Sequence, residues 1–252
     1  MVAVAFGSYA QEIGVPETTS ELVNYNATNR DNWVAGIAQQ LPAGTRLLDV
    51  GAGPARYRSL FTHCQYMTQD FNQYMGTTTG VLKEDWSYTQ TDFISDAASI
   101  PIAARSYDAV LCTEVLEHVP NPVQVLSEIG RILCPGGYAF ISAPLGSGLH
   151  QQPYHFYGGF TPHFYRRFLP EAGLQVISIQ PNGLFFRLFL QEMRRALSIL
   201  QQHRHYPVWH PVRWIIHIAA SYTVARWLTQ LDEEIPVDEF TAGYHVIASK
   251  EN

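Results

Sequence analysis

Apolar residues along this chain follow two spacings. Leu47, Leu48 and Val50 form a short run, as do Ala109 to Cys112 and Tyr138 to Ile141. Short runs without alternation suit strands buried on both faces, the condition of a parallel sheet. Gln65 to Asp70 and Asp92 to Ile94 read as two further strands, and Leu174 to Ile179 as a sixth. Ala242 to Ser249 alternates and reads as the last strand. Between strands the spacing lengthens to that of a helix. Leu22, Tyr25, Trp33, Ile37 and Ala38 mark a stripe over 20–40, and Val123, Leu126, Ile129 and Ile132 a second over 121–133. The strongest stripe covers 184–202, with Phe185, Leu188, Phe189, Met193, Leu197 and Leu200 on one face and Arg187, Gln191, Arg194 and Arg195 opposite. His203, His205, Pro207, Trp209 and Pro211 interrupt it before Trp214 to Leu231 resumes as helix. Strands alternating with helices predict an α/β chain with a doubly wound sheet.

The first strand runs into Gly51-Ala52-Gly53, where the backbone can turn tightly and approach a ligand with no Cβ in the way. Residues after Pro54 are expected to open a helix whose unpaired N–H groups face the strand end. The dinucleotide fingerprint requires glycine or alanine at position 56, and the chain carries Arg56, which disfavours a nicotinamide-dependent dehydrogenase.

Asp49, two residues before the first glycine, instead gives the order D-x-G-x-G. That order resembles motif I of the class I S-adenosylmethionine-dependent methyltransferases. Three more signals follow in the family's sequence: Asp70-Phe71 at the end of the second strand; Asp96-Ala97-Ala98-Ser99-Ile100-Pro101; and Arg131-Ile-Leu-Cys-Pro-Gly-Gly-Tyr138. The resemblance covers residues 47 to 144 and implies a Rossmann-like, seven-stranded sheet. Its implied order is 3-2-1-4-5-7-6, with the last strand antiparallel and a helical C-terminal insertion. The implied cofactor is S-adenosyl-L-methionine, leaving as S-adenosyl-L-homocysteine. Asp49, Gly51, Ala52 and Gly53 would form its turn, Asp70 would accept from the ribose hydroxyls, and Phe71 would cover the adenine. Asp96 and the Ala97 N–H would read adenine, a helix cap by Asp96 being the rival use. Thr113 and Glu114, at a strand end, would border the sulfonium and the acceptor. Tyr25 and Arg30 would reach the methionine carboxylate, unless Arg30 is simply a solvated helix residue.

Beyond the fifth strand the chain turns aromatic and rich in histidine, from His150 through Tyr154, His155, Phe156 and Tyr157 to His163. Histidine suits removal of a proton from an acceptor near neutral pH, so His155, or His150, is the candidate general base, with Tyr154 and Tyr157 shaping the pocket. A packed or backbone-bonded histidine is the rival reading. No metal site is expected: Glu117-His118 reads as capping or packing because its neighbours supply no further ligand. A zinc site from His150, His155 and His163 would lack a nearby cysteine or acid.

Composition narrows the setting. A 252-residue chain with 46% hydrophobic and 15% charged residues is globular, and a formal net charge of −6 argues against general nucleic-acid binding. Residues 181–230 are nonetheless locally basic, with six arginines and one acid, Glu192. Their basic, aromatic surface suits a substrate lid or homodimer face better than membrane contact. Cys64, Cys112 and Cys134 form no C-x-x-C pair, Cys112 and Cys134 read as packed thiols, and a reducing cytoplasm fits them. The whole reads as one methyltransferase domain over 1–252, with a cofactor core of 20–180 plus 240–252 and a helical insertion over 181–236. Methyl transfer to a small-molecule acceptor is expected, at oxygen first and nitrogen next. A protein of this fold that binds the cofactor without catalysis is the remaining alternative.

Overall fold

A computed structural model describes residues 25–76, 86–88, 90–202, 211, 215 and 222–251. Leu22, residues 77–85 and 89, and His203, His205, Pro207, Trp209 and Trp214 lie outside the described residues. Seven strands build one sheet: β1 (Arg46–Val50), β2 (Gln65–Asp70), β3 (Phe93–Ile94), β4 (Tyr107–Thr113), β5 (Leu133–Pro144), β6 (Leu174–Pro181) and β7 (Gly243–Lys250). Their order, β3-β2-β1-β4-β5-β7-β6, is the one the resemblance implied. β1 pairs in parallel with β2 and β4, β2 with β3, and β4 with β5, whereas β7 runs antiparallel to β5.

Alternate residues of the central strands face two cores. Leu48, Val50, Val110, Cys112 and Ile141 pack with Val125, Leu126 and Ile129 of α2 (Pro122–Ile132) and Tyr165 and Leu169 of α3 (Pro162–Glu171). Leu47, Leu111 and Phe140 on the other side meet Trp33, Val34 and Ile37 of α1 (Tyr25–Gln40). Both faces are covered, which is why these strands carry apolar runs rather than alternation.

One local expectation changes. No α-helix follows Pro54: the chain turns there, and only a 3-10 helix forms, at Arg58–Phe61. Ala55 holds φ +53, outside right-handed helix, and the chain must already re-enter the sheet at Gln65. Cys134 to Gly137 forms an irregularity within β5, between the pairs Tyr107↔Leu133 and Ala109↔Tyr138. It leaves Cys134 half-buried, its thiol donating to the Arg105 carbonyl at 2.9 Å, while Cys112 is buried as expected. Thr161 precedes α3 without a side-chain capping bond, whereas Asn121 caps α2 by accepting from Gln124 N at 3.2 Å.

The described residues of 32–180 and 243–251 form one compact unit, and those of 25–31 and 181–242 a second. In the second, Leu190 of α4 (Phe185–Gln202) packs with Ala225 and Leu228 of α5 (Tyr222–Glu234). Arg187, expected on the polar face of α4, is buried there beside Asp232, with Nε 3.6 Å from Oδ2.

Candidate active site

Parallel register puts the carboxyl ends of the strands in a row. Val50 stands beside Gln69 and Cys112, Asp70 beside Ile94, and Thr113 beside Ser142. Ligands bind outside such ends in open α/β sheets. The turn after β1 is tied to this row through hydrogen bonds. Gly51 N donates to the Gln69 side chain at 3.3 Å, Ala52 N to the Gln69 carbonyl at 3.0 Å and Gly53 N to Asp70 Oδ2 at 2.8 Å. The Gln69 amide in turn donates to the Ser95 carbonyl at 2.6 Å, linking the glycine turn to the loop that carries Asp96.

Both glycines are required. Gly51 and Gly53 have φ of +67 and +51, where a side chain is strained. A Cβ on Gly51 would run into Val115, and one on Gly53 would stand 2.6 Å from Trp86. The Tyr74–Trp86 pair, with centroids 5.3 Å apart, therefore walls a turn that only bare backbone can line.

Each sequence candidate can now be placed. Asp70 is buried and accepts from Gly53 N and, at 2.9 Å, from Asn72 N. Burial pushes its carboxyl up, against those backbone donors. An ionised carboxylate has about four acceptor positions, so with the Gly53, Asn72 and Phe71 backbone groups on it Asp70 keeps acceptor capacity for a ribose hydroxyl. Asp49 lies beneath the turn and takes the Tyr66 hydroxyl, its carboxyl pushed up to about 7 chiefly by complete burial. Phe71 meets Tyr154 edge-on at 4.9 Å, joining the strand-end row to the aromatic loop. Asp96 opens a turn rather than a helix, accepting from Ala98 N at 2.8 Å, with its carboxylate exposed and Ala97 buried behind it. Glu114 follows Thr113 at φ +55, held by Glu114 N to the Ser142 carbonyl at 2.9 Å and by the Ser142 hydroxyl on its carboxylate at 2.8 Å. Left-handed backbone at a bulky residue is uncommon and gathers at functional sites. Tyr25 and Arg30 belong to the second unit, where Tyr25 accepts from Arg187 Nη1 at 3.1 Å and lies under its guanidinium.

The loop after β5 folds back on residues 117–120. Phe156 and Tyr157 N–H groups donate to the Glu117 carbonyl at 2.8 and 3.3 Å, and the Tyr157 hydroxyl to the Pro120 carbonyl at 2.9 Å. His150 and His155 thereby come together, ring centroids 4.6 Å apart, with His118 4.7 Å from His150. Burial pushes His118 down to about 4 and holds His155 below the usual histidine range. Ser147 Oγ lies 3.1 Å from His155 Nε2. The residues neighbouring Glu117-His118 in the sequence offer no further ligand, but this loop brings a distant one: donor atoms of Glu117, His118 and His150 lie within 4.8 Å of one another. His163 lies apart from this grouping, in the first turn of α3.

Residues 48–141 match the model of the methyltransferase domain family. An uncharacterized methyltransferase of Mycolicibacterium paratuberculosis is 34% identical over 192 residues, covering 73% of this chain and 72% of that protein. The chain belongs to the class I S-adenosylmethionine-dependent methyltransferases. As a member, it uses S-adenosylmethionine as its methyl-donating cofactor. A ubiquinone biosynthesis O-methyltransferase of Paracidovorax citrulli is 31% identical over 120 residues, a match spanning 45% of this chain and about half, 48%, of that relative. Among solved structures, the [4+2]-cyclase SpnF shares the fold with a TM-score of 0.54 at 18% identity, covering 89% of this chain and 82% of that one. Phosphoethanolamine N-methyltransferase 2 of Haemonchus contortus, in complex with S-adenosyl-L-methionine, gives 0.53 at 17% identity, covering 93% of this chain and 58% of that one.

The chemistry of the methyltransferase's strand-end row fits an adenosyl cofactor: bare backbone at the turn, a buried carboxylate with free acceptor positions and an exposed one beyond it. Sequence reasoning missed Gln69, Trp86 and Ser142, which hold this row together. Gln69 left no clear signal, since it stands between Thr68 and Asp70, yet it is almost fully buried. Trp86 left none, since its role depends on a contact with Gly53, far from it in the sequence.

Proposed function

We propose that this methyltransferase methylates a hydroxyl oxygen of a small-molecule acceptor, with His155 as the general base. The reading rests on one observation: a half-buried imidazole in the loop leaving β5 meets a hydroxyl, Ser147 Oγ, at hydrogen-bond distance. The Ser147 hydroxyl also donates to the Gly158 carbonyl at 3.1 Å, so an acceptor hydroxyl would have to replace Ser147 at Nε2 and would lose its proton to that nitrogen in the Nδ1–H tautomer, with burial holding the ring below its usual range and so favouring the neutral form. The O-methyltransferase relatives support oxygen as the acceptor atom.

When bound, S-adenosylmethionine supplies an electrophilic methyl group on a sulfonium, so the protein's work is alignment, proton removal and exclusion of water. In this reading Asp70 takes the ribose hydroxyls and Phe71 one face of the adenine. Asp96 and the Ala97 N–H meet its amine and ring nitrogen. Gly51, Ala52 and Gly53 line the sulfonium side with Asp49 fixing the turn from below, while Thr113 and Glu114 border the methyl's path. Tyr154 and Tyr157 shape the acceptor pocket.

The test is to incubate the chain with methyl-labelled S-adenosylmethionine and a panel of phenols, aliphatic alcohols and amines, identifying the labelled bond by NMR. The expected product is a methyl ether, with His155→Ala lowering turnover by about 10²- to 10⁴-fold. Calorimetry should find the affinity of that variant for S-adenosylhomocysteine unchanged. Labelled methylamines, or full turnover by His155→Ala, would overturn the reading.

A further inference from the structure

We propose that Glu117, His118 and His150 form a three-ligand site for one first-row divalent cation. Their donor atoms lie within 4.8 Å of one another, and His118 Nε2 is 3.7 Å from Glu117 Oε1. The decisive feature is how the rings are held. His118 Nδ1 stands 2.7 Å from the Tyr154 carbonyl, and His150 Nδ1 stands 2.8 Å from the Gly148 carbonyl. A carbonyl can only accept, so each Nδ1 carries the proton and each Nε2 keeps its lone pair. This is the way metal-ligating histidines are oriented, with the second nitrogen donating to a backbone carbonyl. The His118 Nε2 so prepared is buried and makes no hydrogen bond.

A plain Glu–His pair accounts for less. At 3.7 Å the two side chains do not hydrogen-bond, and such a pair gives His150 no reason to be there. The loop that brings His150 is also anchored on the same residue that offers the carboxylate, through Phe156 N and Tyr157 N on the Glu117 carbonyl. Ligands about 2.1 Å from a tetrahedral ion stand roughly 3.4 Å apart, so the His150 loop would draw in by about an ångström on binding. Two imidazoles and one carboxylate favour zinc, iron, cobalt or manganese over magnesium and calcium. Three protein ligands leave a coordination position open, which would receive an oxygen of the acceptor. That last use rests on the oxygen reading above; cation binding itself does not.

The test uses the full, untagged chain stripped with chelator and titrated with Co²⁺, whose visible d–d absorption reports low-symmetry coordination. One equivalent is expected to bind, to be displaced by Zn²⁺, and to bind at least about tenfold more weakly in both His150→Ala and Glu117→Gln. S-adenosylhomocysteine binding and circular dichroism report that each variant is folded, and His150, on a loop, keeps the test open if the buried Glu117 variant is not. Absence of the absorption, or equal binding by wild type and His150→Ala, overturns the proposal. Because Co²⁺ is read without acceptor, cation binding by an enzyme that methylates only amines would sink the oxygen reading and keep this site.

Discussion

Asp49 illustrates how one residue serves the turn and costs the fold. Its carboxyl is fully buried beneath Gly51 and satisfied by the Tyr66 hydroxyl, yet burial outweighs that bond and raises it from 3.8 to about 7. For an acid with a raised value the folded state binds the extra proton, so its stabilising contribution is complete below about pH 4 and fades as pH rises through 7. Asp49→Asn should therefore gain stability relative to wild type as pH is raised from 5 to 8, by at most about 1.4 kcal/mol per pH unit. Urea unfolding of both proteins without cofactor measures the difference, and a gap that stays constant with pH would mean the carboxyl titrates normally. The motif made Asp49 visible in the sequence, but its partner Tyr66 was not, because the pairing depends on the β1–β2 register. The same holds for Glu117 and His118: adjacent residues advertise themselves, whereas His150 reaches them only through a loop returning from β5.

Elements were legible where burial alone decides them. The apolar runs of β1, β4 and β5 mark strands because helices cover both faces, and Leu126, Ile129 and Ile132 of the α2 stripe fill one core, with Val125 rather than Val123 beside them. Legibility ended where chain geometry rather than hydrophobicity decides, as after Pro54, where positive φ at Ala55 stops a helix the residue types would permit. Close approach between helices was equally hidden. Gly130 of α2 faces the end of α3, and a Cβ there would collide with the Ala172 backbone carbonyl. A carbonyl at a helix end cannot swing aside as a long side chain can. Gly130→Ala is thus expected to destabilise the protein by about 1–3 kcal/mol, despite the better helix propensity of alanine. Urea titration monitored by tryptophan fluorescence would show this, and a shift within about 0.5 kcal/mol of wild type would mean that the contact yields easily.

At the scale of the whole molecule the sheet's order followed from family resemblance, while the second unit was readable only as amphipathic helix. The six arginines of 181–230 suggested a uniformly basic surface, but Arg187 is buried against Asp232 and Tyr25. Asp232 of α5 also accepts from Phe186 N at 2.8 Å, Arg187 N at 3.2 Å and Leu184 N at 3.3 Å, capping the first turn of α4 from a distant part of the chain. Beside this polar junction the unit has a small apolar cluster around Leu190, Ala225 and Leu228. Asp232→Ala leaves three backbone donors without their acceptor and a buried guanidinium without its counter-charge, a loss of about 3–5 kcal/mol for a broken buried pair. Amide hydrogen exchange should then accelerate across 185–202 and 222–234 while 107–113 and 133–144 keep their protection, since the two units have separate cores. Pairing Asp232→Leu with Arg187→Met should restore much of the protection by removing both charges together. Were the sheet amides to open in step with the helices, the two units would be one cooperative body, and the junction's role would be global rather than local.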